Sequence, residues 1–270
     1  MNRRNPKLYL LAAMMLAAAC GGGERRHHFG DGGATAQVTR SWPASSIHTL
    51  RVREVDGSVT VEASPTNEIT LTASARGDLQ IDKKAENSGL FQTEVDGDVL
   101  RIGRKERHRG HFNFNFIFGN DDVRIDYVLR VPPSVELDIG TVNGRIALHG
   151  GEGRTAATTV NGTIDIETAG TEELQATTVN GRVRAKFLRS FSGARFKTVN
   201  GGVEALLPEG ASFSVDLAQV NGDFEASFPL SIHSNPGTRR VSGDINGGQH
   251  ELKIVTVNGD VELGKLQAAR

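Results

Sequence analysis

The chain has 270 residues, 31 Lys and Arg against 32 Asp and Glu, and 32 glycines. A balance this even gives no electrostatic footprint for nucleic acid. With Cys20 as the only cysteine, no internal disulfide framework can form.

In chain order, Arg3, Arg4 and Lys7 precede the apolar run 8–19 (LYLLAAMMLAAA), and Cys20 follows. Those 12 residues span about 18 Å as a helix, short of a hydrocarbon core of about 30 Å. They read as a signal peptide, 1–19, and not as a transmembrane anchor. Ala17-Ala18-Ala19 before Cys20 resembles the lipobox of bacterial lipoproteins, although Leu16 stands four places before the cysteine instead of three. The resemblance implies that Cys20 is acylated and anchors the protein to a membrane of the cell envelope. Several acyl chains, at about 0.8 kcal/mol per buried CH₂, hold durably where one does not. Gly21 in place of Asp resembles an outer-membrane sorting signal where two membranes exist. Segment 20–44 then reads as the lipidated cysteine and a flexible tether, with His27 and His28 solvated within it.

Two Val-Asp-Gly triplets, Val55-Asp56-Gly57 and Val95-Asp96-Gly97, are followed by an irregular insertion, 103–122. Phe112, Phe114, Phe116 and Phe118 alternate there. They would pack over the helix as core or, exposed, form a patch for a partner, a membrane surface or a second copy. His108 and His111 lack the convergent ligands that zinc needs, so no metal site is expected.

The decisive signal is Val-Asn-Gly, repeated with its asparagines at Asn143, Asn161, Asn180, Asn200, Asn221 and Asn258. Successive spacings are 18, 19, 20, 21 and 37 residues, and a partial copy, Ile245-Asn246-Gly247, falls in the last gap. After each turn an apolar residue stands at the third and fifth places: Ile146/Leu148, Ile164/Ile166, Val183/Ala185, Val203/Ala205, Phe224/Ala226 and Val261/Leu263. Period-2 alternation is a half-buried strand. A constant period with the same residue at the same phase predicts an all-β fold: a single-stranded, right-handed parallel β-helix over 45–264, with the asparagines in a column and a short tail, 265–270. Asparagine suits a left-handed bend and glycine removes a Cβ clash beside it. Whether Val or Asn faces inward at the bend stays open. The outer column predicts Ala147, Asp165, Arg184, Glu204 and Glu225 on consecutive coils, with Glu262 two periods later.

The run Tyr127-Val-Leu-Arg-Val-Pro132, followed by Val-Glu-Leu-Asp-Ile-Gly-Thr-Val-Asn-Gly-Arg-Ile, resembles the bacterial "putative adhesin" β-helix domain, a family of unknown function. Val55–Val61 resembles its opening coil, and the likeness covers roughly Ser45 to Leu263. It implies the solenoid and carries little mechanism.

The expected function is a non-catalytic, adhesin-like binding or structural module on the cell envelope. Its partners would be the membrane through Cys20 and an envelope or surface protein or polysaccharide. No catalytic residue and no cofactor is expected, since no phosphate-binding loop and no nucleophile elbow occur. One alternative is a carbohydrate-active enzyme using outward acids such as Asp165, Asp223, Glu225 and Asp260, which would have to converge. Another is self-assembly by stacking on an open end after Leu263.

Overall fold

The computed structural model describes residues 34–77, 91–103, 123–235 and 238–266. Cys20, His27, His28, His108, His111 and the four phenylalanines Phe112 to Phe118 lie outside them.

Alternation makes the strands, as in Leu174–Asn180, where Leu174 and Ala176 are buried while Gln175 is exposed. The described strands are β1 (Ala34–Pro43), β2 (Thr49–Arg53), β3 (Val59–Ala63), β4 (Glu68–Gly77), β5 (Gln92–Asp96), β6 (Val99–Gly103) and β7 (Arg124–Val131). They continue with β8 (Glu136–Gly140), β9 (Ile146–His149), β10 (Thr155–Asn161), β11 (Ile164–Thr168), β12 (Leu174–Asn180), β13 (Val183–Phe187) and β14 (Ala194–Asn200). The last are β15 (Val203–Leu207), β16 (Phe213–Asn221), β17 (Phe224–Ala226), β18 (Ser231–Asn235), β19 (Thr238–Ile245), β20 (His250–Asn258) and β21 (Val261–Lys265). No α-helix occurs among the described residues.

The protein is all-β, and its strands form two mixed sheets. One runs β1-β4-β7-β3-β9-β11-β13-β15-β21-β17, the other β18-β19-β16-β20-β14-β12-β10-β8-β2-β6-β5. Between the ends, strand–corner–strand rungs stack in parallel, each giving one strand to each sheet. In order up the stack the rungs are β2–β3, β8–β9, β10–β11, β12–β13, β14–β15, β20–β21 and β16–β17. Apolar side chains from both sheets fill the space between: Ile146, Leu148, Ile164, Ile166, Val183, Ala185, Val203, Ala205, Val261 and Leu263 of one sheet are buried, as are Leu137, Ala157, Ala176, Phe196, Ile254 and Leu217 of the other. At the end of the core away from the corners, Phe187, Phe191, Phe213 and Phe228 meet edge to face with ring centroids 4.9, 5.6 and 5.2 Å apart. That is the geometry the ring quadrupole favours.

The fold departs from a uniform parallel helix. Both ends are antiparallel: β1, β4 and β7 on one side, β18, β19 and β16 on the other, and the β5–β6 hairpin. Residues 34–43, expected in the tether, form β1 against β4. Stacking order is not chain order, because β20–β21 enters between β14–β15 and β16–β17, and β2–β3 between later segments. Leu263 is therefore interior to the stack and no open end follows it; the terminal strand of that sheet is β17, where Phe224 is half-buried and Ala226 exposed.

Two of the predicted bends are not corners between the sheets: one is a hairpin turn and the other a link that passes over β16. Val95-Asp96-Gly97 joins β5 to β6 with Gly97 at φ 62°, and Asn246-Gly247 joins β19 to β20. The outer charged column is also reordered. Glu262 lies between Glu204 and Glu225, so three carboxylates adjoin at that end, and Ala147, expected outside, is buried.

A candidate binding ridge at the corners

Five corners read Thr-Val-Asn-Gly, one Gln-Val-Asn-Gly and the first Glu-Val-Asp-Gly, and the fold aims these side chains in or out by position. The residue before Val points in: Thr141, Thr159, Thr178, Thr198 and Thr256 are buried, as are Gln219 and Glu54 in the same place on their rungs. Valine and asparagine both point out. Parity carries over from the strand, because Thr continues the inward row of the incoming strand and Val its outward row.

The inward threonines tie rung to rung. Each hydroxyl donates to the corner glycine carbonyl of its neighbour: Thr141 to Gly57 (3.3 Å), Thr159 to Gly144 (3.2 Å), Thr178 to Gly162 (3.1 Å), Thr198 to Gly181 (3.3 Å) and Thr256 to Gly201 (3.3 Å). Gln219 Nε2 does the same to Gly259 at 2.8 Å. On the first rung Glu54 replaces Thr; its carboxylate accepts the buried Tyr127 hydroxyl at 2.7 Å and the Val55 amide at 2.9 Å. The adjoining carbonyl also explains the glycine. A Cβ at Gly144, Gly162, Gly181 or Gly259 would overlap the corner glycine oxygen of the next rung. The expected left-handed asparagine is absent here: among the described non-glycine residues, only Asn246 has positive φ. Close approach dictates the corner glycine on every rung, and positive φ adds to it only at Gly57, Gly201 and Gly222.

Outside, the asparagines form one directed chain. Asn221 Nδ2 donates to Asn258 Oδ1 (2.8 Å), Asn258 to Asn200 (2.9 Å), Asn200 to Asn180 (2.9 Å), Asn180 to Asn161 (2.8 Å) and Asn161 to Asn143 (2.8 Å). Asn143 Nδ2 donates to Asp56 Oδ1 at 2.8 Å. An ionised carboxylate can only accept. Asp56 therefore obliges Asn143 to present its nitrogen, which leaves the Asn143 oxygen for Asn161, and so on upward. One carboxylate orients every amide in the column. Each asparagine keeps a second N–H and a second lone pair directed at solvent, repeating at the inter-strand spacing of about 4.8 Å.

Beside this chain runs a valine column. Val179, Val199, Val257 and Val220 are 37, 40, 36 and 44 % exposed on four adjoining rungs. They make up most of the exposed large apolar residues among those described. Apolar stems next to spare amide groups form a flat, uncharged ridge, the composition of a recognition surface.

Of the outward acids, Glu204, Glu262 and Glu225 adjoin toward the β17 end, and Asp165 stands apart from them. Asp165 on β11 ion-pairs with Arg145 (2.7 Å) and Arg184 (3.4 Å), and Arg184 reaches Glu204 (3.5 Å). Asp223, Glu225 and Asp260 sit at the far end, with β13, β15 and β21 between β11 and β17. Asp260 Oδ1 there accepts the Asp223 amide at 2.9 Å. No group of three or more His, Cys, Asp or Glu that could hold a metal occurs among the described residues. The threonine column was visible in the sequence as the residue before Val in five of the six Val-Asn-Gly copies, but alternation alone did not give it a role.

Against this geometry, the family model of the Toastrack DUF4097 domain matches residues 41–264. The chain belongs to that family. Among curated proteins none matches its sequence. A "putative cell adhesion protein" of Clostridium sporogenes ATCC 15579 is 8 % identical, with 86 % of this chain and 100 % of that one covered and a TM-score of 0.45. A "putative adhesin" of Parabacteroides merdae ATCC 43184 is 11 % identical, covering 86 and 96 %, with a TM-score of 0.31. A "putative lipid binding protein" of Parabacteroides distasonis ATCC 8503 is 14 % identical, covering 86 and 97 %, with a TM-score of 0.31. None of these likenesses bears on function at such values. This Toastrack domain is accordingly read from its own ridge.

Proposed function

We propose that this Toastrack chain is a non-catalytic lipoprotein of the cell envelope, anchored through Cys20, that uses its corner ridge to bind a surface polymer or protein. In this reading the rungs are coils of a right-handed β-helix whose ends are closed by antiparallel hairpins. The ridge is the observation that carries it: exposed Val179, Val199, Val257 and Val220 beside a continuous amide chain.

Two measurements test it. Cys20→Ser should abolish palmitate labelling and move the protein from the membrane fraction to the soluble one. The double change Val199→Asp and Val257→Asp should reduce binding of the purified protein to envelope fragments at least tenfold while leaving the melting temperature within a few degrees. Binding that survives these charges, or time-dependent release of new chain ends from envelope polysaccharide, would overturn the reading.

A further inference from the structure

The rung β20–β21 occupies an unusual place. Its strands pair on both sides, β20 with β14 and β16, and β21 with β15 and β17. Leu252, Ile254, Val261 and Leu263 are almost wholly buried. Yet the chain lays down β16–β17 first, adds β18 and β19 outside it, and only then returns to fill the space beneath. Residues 250–265 thus fill a slot whose two walls are built entirely from earlier parts of the chain.

The return is made by one short link. Ile245 of β19 and His250 of β20 are both register partners of Phe213, on opposite sides of β16. The link must therefore cross two strand spacings, about 9.6 Å, over the start of β16. It does so with Asn246, Gly247 and Gly248 at φ 49°, 97° and 65°, three consecutive residues in the left-handed half of the map. Asn246 Nδ2 donates to the Ala211 carbonyl (2.9 Å), the Ser212 hydroxyl to the Asn246 carbonyl (2.7 Å), and the Gln249 amide to Ser212 Oγ (3.1 Å).

We infer that this slot is an exchange site between two copies of the chain, each donating residues 250–265 to the other across an opened 246–249 hinge. Every contact of the rung is the same whether its own chain or a second copy supplies it, so only the hinge and the linkage entropy decide. The tight clasp and the high effective concentration of a tethered rung favour the closed monomer. Residues that resist positive φ would penalise the clasp and leave an extended hinge unaffected, shifting the balance to the exchanged dimer.

Lys197 and Val255 are register partners on β14 and β20 with outward side chains, so cysteines there report which chain fills the slot. In a Cys20→Ser chain also carrying Lys197→Cys and Val255→Cys, the native hinge should give mainly monomer with the disulfide within one chain. Adding Gly247→Val and Gly248→Val should raise the dimer fraction at least tenfold in sedimentation, with disulfides joining two chains on a non-reducing denaturing gel. Deleting 246–248 leaves only Gln249 to join Ile245 to His250, reaching about 7 Å, too short for the crossing. This second variant should be an obligate exchanged dimer. A deletion variant that is monomeric, unfolded, or dimeric with disulfides inside each chain overturns the inference.

Discussion

Asn161-Gly162 and Asn246-Gly247 are the same dipeptide in two regions of one molecule. At the first, the chain leaves β10 and enters β11 in the other sheet without either residue taking positive φ. Asn161 spends its amide on the neighbouring rungs, and Gly162 is needed because the Gly144 carbonyl lies where a Cβ would go. At the second, both residues have positive φ, and Asn246 serves the loop before β16. The corner glycine answers to a neighbour distant in sequence, whereas the glycine of the link over β16 answers to its own backbone. Composition at a turn therefore does not reveal which constraint selected it.

The largest expected effect separates those constraints. Gly181→Ala should lower stability by about 4 kcal/mol or prevent folding, since its Cβ would meet backbone that cannot move without shifting a whole rung. Gly248→Ala at φ 65° should cost about 1–2 kcal/mol, the ordinary left-handed penalty. Gly210→Ala, with open space around it, should stay within about 0.5 kcal/mol. Urea unfolding of the three variants ranks them, and equal losses at Gly181 and Gly248 would dissolve the distinction.

Next in size is the inward ladder. Thr178→Val keeps shape and removes the hydroxyl that donates to Gly162, with an expected loss of about 1–2 kcal/mol in the same assay. The exposed ladder should give less and show its polarity. Asn180→Asp can still accept from Asn200 but cannot donate to Asn161, which should cost about 1 kcal/mol at neutral pH. Asp56→Asn keeps an acceptor oxygen for Asn143 and should change stability by less than about 0.5 kcal/mol. If the two substitutions cost the same, the ladder has no fixed direction.

The smallest effect is electrostatic and lies at the antiparallel end. Burial by itself would raise the Asp126 pKa, but hydrogen bonds from the Ser58 hydroxyl and amide, with Arg124 beside it, hold it below the ordinary carboxylate value. A depressed folded pKa contributes stability that is complete above the unfolded value, about 3.9, and is lost as pH falls through the folded one. Ser58→Ala should bring the folded value nearer the unfolded one, so the urea midpoint falls less between about pH 6 and about pH 2 than in the native chain. An unchanged acid slope would show that Ser58 does not hold the carboxylate.

Much of the fold was legible because its signal is local. Alternation marked Ile164/Ile166 and Val183/Ala185 as core, and the family likeness fell on nearly the stretch that the Toastrack model matches. The triplets Val95-Asp96-Gly97 and Ile245-Asn246-Gly247 misled, since a bend between sheets, a hairpin turn and a link over a strand favour the same small residues. The ridge was half legible: its asparagines were named from the repeat, while the exposure of its valines depended on parity through the corner.

The amino-acid order alone determined that short strands recur at a nearly constant period, with a glycine at each bend and a hydroxyl or amide ready to bridge units. Those properties belong to each segment and its own alternation. The stacking order of the rungs, the end that Asp56 terminates and the slot filled by residues 250–265 were decided only in three dimensions. The corners are chemically interchangeable, so Asn200 accepts Asn258 as well as it would Asn221. Identical local contacts cannot encode adjacency, which falls instead to the end hairpins and the reach of the links between rungs.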